Sequence, residues 1–73
     1  MTHRLPVVSG KVLIKALGGL GYYVRDRDSS HVHLRHPTRS PLTVPDHREV
    51  ARGTLRAIIN QAGLTRQEFE DLL

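Results

Sequence analysis

A helical stripe, three short alternating runs and a second helical stripe follow one another within 73 residues, and that order constrains the fold more than any other feature. Leu13, Ala16, Leu17 and Leu20 recur at i, i+3, i+4 and i+7, the spacing of one buried helix face. Ser9 is a suitable N-cap ahead of Gly10-Lys11, so the spacing predicts a first helix over residues 10–18. Gly18, Gly19 and Gly21 weaken its end, and one of them is expected to supply a left-handed C-terminal residue. From Tyr22 to Arg27 the period changes to two, as in a half-buried strand. Asp28-Ser29-Ser30 reads as a tight turn, since Asp and Ser side chains bond to nearby backbone.

His31 to His36 is the second strand of this hairpin, with Val32 and Leu34 on one face and His31, His33 and Arg35 on the other. Residues 37–41, framed by Pro37 and Pro41, form a loop, and Leu42, Thr43 and Val44 a short third strand stopped by Pro45. Asp46 to Arg52 is polar and irregular. Thr54 then precedes the stripe of Leu55, Ile58, Ile59 and Ala62, which Gly63 ends. Thr65 and Glu68 fit a capping box for a last short helix carrying Phe69, Leu72 and Leu73.

Short connections make the three strands antiparallel, and the helices are the only cover for the apolar sheet face. The expected fold is therefore α+β: a three-stranded antiparallel sheet with helices packed on one face and a short C-terminal helix. The predicted core is Leu13, Leu17, Val24, Val32, Leu34, Val44, Leu55, Ile58 and Ile59.

Residues 1–73 make one domain at most, and a core this thin leaves a net stability of roughly 3–5 kcal/mol. The chain has no cysteine, so neither a disulfide framework nor a thiolate metal site supports it. No segment approaches the roughly 20 apolar residues that span a bilayer. The N-terminus also lacks the apolar run of a secretory signal, so a cytoplasmic protein is expected. Eleven Lys and Arg against seven Asp and Glu give a net charge of +4, a sign that points to a polyanion, nucleic acid first. Ten of the eleven basic residues precede residue 57, and three of the seven acids fall in the last six residues.

Four of the five histidines lie between His31 and His47. Histidine exchanges a proton near neutral pH, and RNA cleavage by its own 2′-hydroxyl needs a base, an acid and nearby cations. Against this stands the plain reading of His31 and His33 as polar residues on an exposed strand face. His36 alternates with core positions and suits a structural hydrogen bond. His47 suits turn capping, and His3 lies in the terminal segment. His31, His33 and His36 have a spacing reminiscent of metal ligands, but a strand turns His36 to the other face, so no metal and no cofactor are expected. Lys11 and Lys15 share a helix face, and Arg48, Arg52 and Arg56 repeat at intervals of four. Gly53-Thr54 before Leu55 offers amides at a helix start, where N-capping by Thr54 is the simpler role.

With these residues set out, the chain resembles the HicA toxins of bacterial toxin–antitoxin pairs over nearly its whole length. The resemblance is carried by Leu5-Pro6-Val7-Val8-Ser9-Gly10-Lys11, Leu20-Gly21-Tyr22, Ser30-His31 and Leu34-Arg35-His36-Pro37. It continues through Thr43-Val44-Pro45-Asp46-His47, Arg52-Gly53-Thr54-Leu55-Arg56 and Ile58-Ile59-Asn60-Gln61-Ala62-Gly63-Leu64. It implies a double-stranded-RNA-binding-domain-like α-β-β-β-α fold and a metal-independent endoribonuclease of the mRNA interferase kind. In that family the catalytic histidine follows a Gly-Ser pair and corresponds to His31, while Ser29 replaces the glycine. A turn needing a positive φ there would be strained by serine.

The resemblance also implies mRNA as substrate and a HicB-like antitoxin that covers the active surface. Ser30, Lys11 and Arg35 are the candidate RNA-binding residues, and the expected location is the bacterial cytoplasm. A non-catalytic RNA-binding module of the same fold is the alternative. A protein-binding adaptor using an exposed sheet face or edge is a third reading.

Overall fold

In the computed structural model, which describes residues 4–73, the elements follow in the order α1 (Gly10–Leu20), β1 (Tyr23–Arg27), β2 (His31–Arg35), β3 (Leu42–Pro45), α2 (Arg52–Gln61) and α3 (Arg66–Leu72). His3, placed by the sequence in the terminal segment, lies outside the described residues. The strands pair antiparallel in the order β1-β2-β3, and α1 and α2 both pack against β3 while α3 packs against α1. The α+β arrangement expected from the hydrophobic periods is thus the one observed.

Ser9 Oγ accepts a hydrogen bond from the Val12 N–H at 3.1 Å and caps α1, as its position suggests. The helix then runs two residues further than its stripe predicts, with Gly18 and Gly19 inside it, and stops at Gly21, whose φ of 111° is left-handed. The Tyr22 N–H reaches back to the Leu17 carbonyl and closes the turn. Gly10 has a different task. Its N–H donates to the His47 carbonyl at 2.8 Å, and a Cβ there would run into the Pro45 carbonyl oxygen. The missing side chain lets the start of α1 lie directly on the end of β3, which fixes the geometry on which the site depends.

In β2, Val32 and Leu34 are buried and His31 and Arg35 exposed, with His33 between. Leu42 and Val44 of β3 complete the inner face. β1 departs from expectation. Val24 pairs with Leu34, but the next pair is Asp26 with His33, so Arg25 is an extra residue in a bulge. The bulge turns Asp26 to the outer face. Val24 is no core residue: it is 44% exposed, and every residue of β1 is exposed. The reason is topological, because β1 is the edge strand away from β3, where the helices sit.

Irregular backbone supplies further core residues, Tyr22 and Leu64 among them. Leu5, Val8 and Val50 are buried, and the Val50 N–H donates to the Val8 carbonyl at 2.8 Å. Seating Val50 brings the chain into α2 earlier than expected. The helix starts at Arg52 with Ala51 as N-cap and no side-chain cap, so Thr54 lies inside the first turn and does not cap it. Leu55, Ile58, Ile59 and Ala62 form the expected buried stripe. Arg39 from the β2–β3 loop donates to the Ala62 carbonyl at 2.7 Å, a cation on an open helix C-terminus. The Thr65–Glu68 capping box forms and α3 buries Phe69 completely, while Leu73 stays exposed.

Candidate functional site

The β1–β2 turn is built on Asp28. Its Oδ1 accepts from the Ser30 N–H at 3.1 Å and the His31 N–H at 2.9 Å, and its own N–H donates to the His31 carbonyl at 3.0 Å. The side chain therefore does what a turn backbone would otherwise do. No non-glycine residue among those described has a positive φ, so Ser29 carries none of the strain expected for a serine in a glycine position.

This turn curls the Asp28 carboxylate over the outer sheet face at the start of β2. His31 Nδ1 lies 3.6 Å from Oδ1, and His33 Nε2 lies 3.3 Å from Oδ2. Ser30 Oγ is 3.0 Å from the same His31 nitrogen, and Thr43 Oγ1 is 3.1 Å from His33 Nδ1. Hydrogen bonds from the Ser30 and His31 backbone, then from the His33 ring, hold the Asp28 carboxyl below the ordinary carboxylate range. The group stays ionised until the pH falls through that lowered value, so its grip on the turn persists through the neutral range.

The histidines separate by what their rings touch. His33 has both nitrogens engaged. His36, partly buried, faces the Leu20 carbonyl with Nε2 at 3.0 Å and accepts from the Thr38 and Arg39 N–H groups with Nδ1, against the Tyr22 ring at 4.8 Å. It is the structural histidine expected from its place in the alternation. His31 keeps Nε2 without a hydrogen-bond partner among the described residues, on a side chain 47% exposed. Since His36 is turned onto α1, it does not join His31 and His33 as a ligand set, and no three metal-ligating side chains converge among the described residues.

Ser30 therefore sits beside His31, as its neighbour in sequence must. Lys11 lies at the same end of the sheet by a longer route. His31 pairs with Pro45, the Asp46 N–H donates to the Ser30 carbonyl at 2.9 Å, and a cleft lined by Ser9, Lys11, Asp46, His47 and Arg48 opens at this end of the sheet. His47 ties its turn to α1 through its backbone carbonyl, so the imidazole is left exposed over the cleft instead of capping. By sequence alone His47 suits turn capping and Arg48 falls in a spacing with Arg52 and Arg56, and neither is placed beside Lys11, because only the seating of Gly10 on β3 brings them there. Arg35 is on the same outer face but four residues down the strand, about 13 Å from His31 by strand rise, opposite Tyr23.

No curated protein matches the chain. The family model described as the HicA toxin of bacterial toxin–antitoxin systems matches residues 10–64. That span runs from the glycine that seats α1 on β3, through the Asp28 turn and the histidine strand, to the close of α2. With three quarters of its residues inside the match and its helix–sheet–helix order intact, the chain belongs to the HicA toxin family of bacterial toxin–antitoxin systems.

Proposed function

We propose that the chain is the toxin of a type II toxin–antitoxin pair and acts as a metal-independent endoribonuclease on mRNA. The observation that carries this reading is His31, an exposed imidazole with an unengaged Nε2, backed on its other nitrogen by Ser30 and Asp28. A nitrogen so placed removes the 2′-hydroxyl proton of a bound ribose. The 2′-oxygen then attacks the adjacent phosphorus, forming the O2′–P bond as the P–O5′ bond breaks, and the 5′-oxygen leaves with a proton taken from solvent water. Lys11 supplies a cation for the phosphate at the His31 end, the Ser30 hydroxyl offers a neutral hydrogen bond there, and Arg35 holds a more distant phosphate along the sheet. The net charge of +4 attracts RNA to the protein.

Incubation with a labelled single-stranded RNA in EDTA tests the reading. Cleavage is the expected result. Retention of the RNA without cleavage would assign the chain to the non-catalytic RNA-binding alternative, and neither would leave the adaptor reading.

The same surface is where a HicB-like antitoxin acts in this proposal, by lying over His31 in the bacterial cytoplasm. Amide hydrogen exchange should then slow across residues 28–36 when the cognate antitoxin is added. Protection confined to α3 would rule out simple occlusion of the site. Among the described residues no helix is long and apolar enough to cross a membrane.

A further inference from the structure

We infer that Asp28 is a positioning residue that sets the tautomers of His31 and His33 together and leaves His31 Nε2 as the bare, outward nitrogen. The bearing of this on RNA cleavage rests on the ribonuclease reading above, whereas the tautomers themselves do not.

An ionised carboxylate only accepts hydrogen bonds. His33 Nε2, 3.3 Å from Asp28 Oδ2, therefore favours carrying the proton and donating it. In the neutral ring Nδ1 is then bare, and it accepts from the Thr43 hydroxyl at 3.1 Å. The other oxygen of the same carboxylate is pinned by two backbone N–H groups and faces His31 Nδ1 at 3.6 Å. A bare lone pair turned toward that anion is repelled and an N–H attracted, so the proton sits on Nδ1 and donates to Ser30 Oγ at 3.0 Å. Nε2 is left without a proton, which is what a general base requires. Water screens all three side chains, since each is at least a third exposed, so the carboxylate biases the rings and does not lock them.

The arrangement is a consequence of spacing on a hairpin. Positions 31 and 33 share one face of β2, and the turn over 28–31 folds the carboxylate of Asp28 back onto that face. One side chain thus makes the turn with one oxygen and reads two imidazoles with both.

The test is ¹⁵N NMR of the histidine rings in the whole chain at a pH of about 9, where histidine is ordinarily neutral. Asp28→Asn keeps an oxygen for the two backbone N–H groups but presents an amide N–H₂ to His33, a donor where an acceptor stood. In the parent His33 should be the Nε2–H tautomer and His31 predominantly Nδ1–H. In Asp28→Asn, His33 should switch to Nδ1–H and His31 should shift toward Nε2–H. His36, held by the Leu20 carbonyl on one side and two N–H groups on the other, should not change and so reports an intact fold. Thr43→Val, which leaves Asp28 in place, should keep His33 as Nε2–H.

Unchanged His31 and His33 tautomers in Asp28→Asn beside a native His36 overturn the inference. A His33 switch in Thr43→Val overturns it as well, because the hydroxyl and not the carboxylate would then set the ring. In the RNA assay Asp28→Asn should cleave about tenfold more slowly, a smaller loss than removal of the imidazole brings. A parent that shows these tautomers and cleaves no RNA supports the positioning by Asp28 and removes the ribonuclease reading alone.

Discussion

His31→Ala should lower RNA cleavage by about 10²- to 10⁴-fold, the share of rate that a positioned general acid or base contributes. Folding and RNA binding should survive the change. The side chain is 47% exposed on the outer face of β2, away from the residues packed between sheet and helices, so its removal opens no cavity. A neutral imidazole adds no charge to the attraction for phosphate, and Lys11, Arg35 and the other basic groups remain. The backbone N–H of residue 31 still donates to Asp28, which keeps the turn. Single-turnover cleavage and an RNA-binding isotherm, measured side by side, check both halves. His33→Ala is the internal comparison: its ring is engaged at both nitrogens and has none free for a substrate proton, so its loss should slow cleavage less. Cleavage by His31→Ala at the parent rate would sink the assignment of this residue.

What could be read in the chain before its structure follows the reach of each signal. The stripe of Leu13, Ala16, Leu17 and Leu20 and that of Leu55, Ile58, Ile59 and Ala62 are local periodicities, and the helices turn those faces to the core, with Leu20 half-buried at its margin. Thr65 and Glu68 satisfy each other within four residues, so that cap too was visible. The alternation of β2 put His31 and His33 on the face away from the core. An extra residue in a strand leaves no mark on alternation until its partner is known, which is why the Arg25 bulge and the exposure of Val24 were missed. Leu5, Val8 and Val50 are core residues on irregular backbone and have no period to betray them.

The site divides along the same line. Ser30 lies beside His31 by covalent necessity, and Asp28 by a three-residue turn. The meeting of Lys11 with His47 and Arg48 in one cleft depends on Gly10 contacting the end of β3, a contact between residues more than thirty positions apart. Arg35, chosen for its face, proves to be on that face and far along it.

The exposure of an edge strand also sets apart two substitutions that hydrophobic pattern alone treats alike. Ile58→Asp should unfold the domain, whereas Val24→Asp should leave it folded. Ile58 is 3% exposed among Leu55, Ile59 and the inner face of the sheet, and nothing polar is buried there to receive a carboxylate. Losing the buried Ile side chain alone costs about 2–5 kcal/mol. Burying the new charge adds several kcal/mol more, or else forces its protonation at a cost of the same kind. The sum exceeds the roughly 3–5 kcal/mol that a domain of this size commands. Val24 lies on the same side of the sheet but is 44% exposed, on a strand with no residue buried. An aspartate there keeps its water, so the penalty is the loss of partial apolar cover against Leu34, about 1 kcal/mol and a few degrees of melting temperature. Thermal unfolding followed by circular dichroism separates the two. A cooperative transition for Ile58→Asp near that of the parent would mean that α2 does not present this stripe to the sheet. An unfolded Val24→Asp would mean that β1 is covered by something other than solvent.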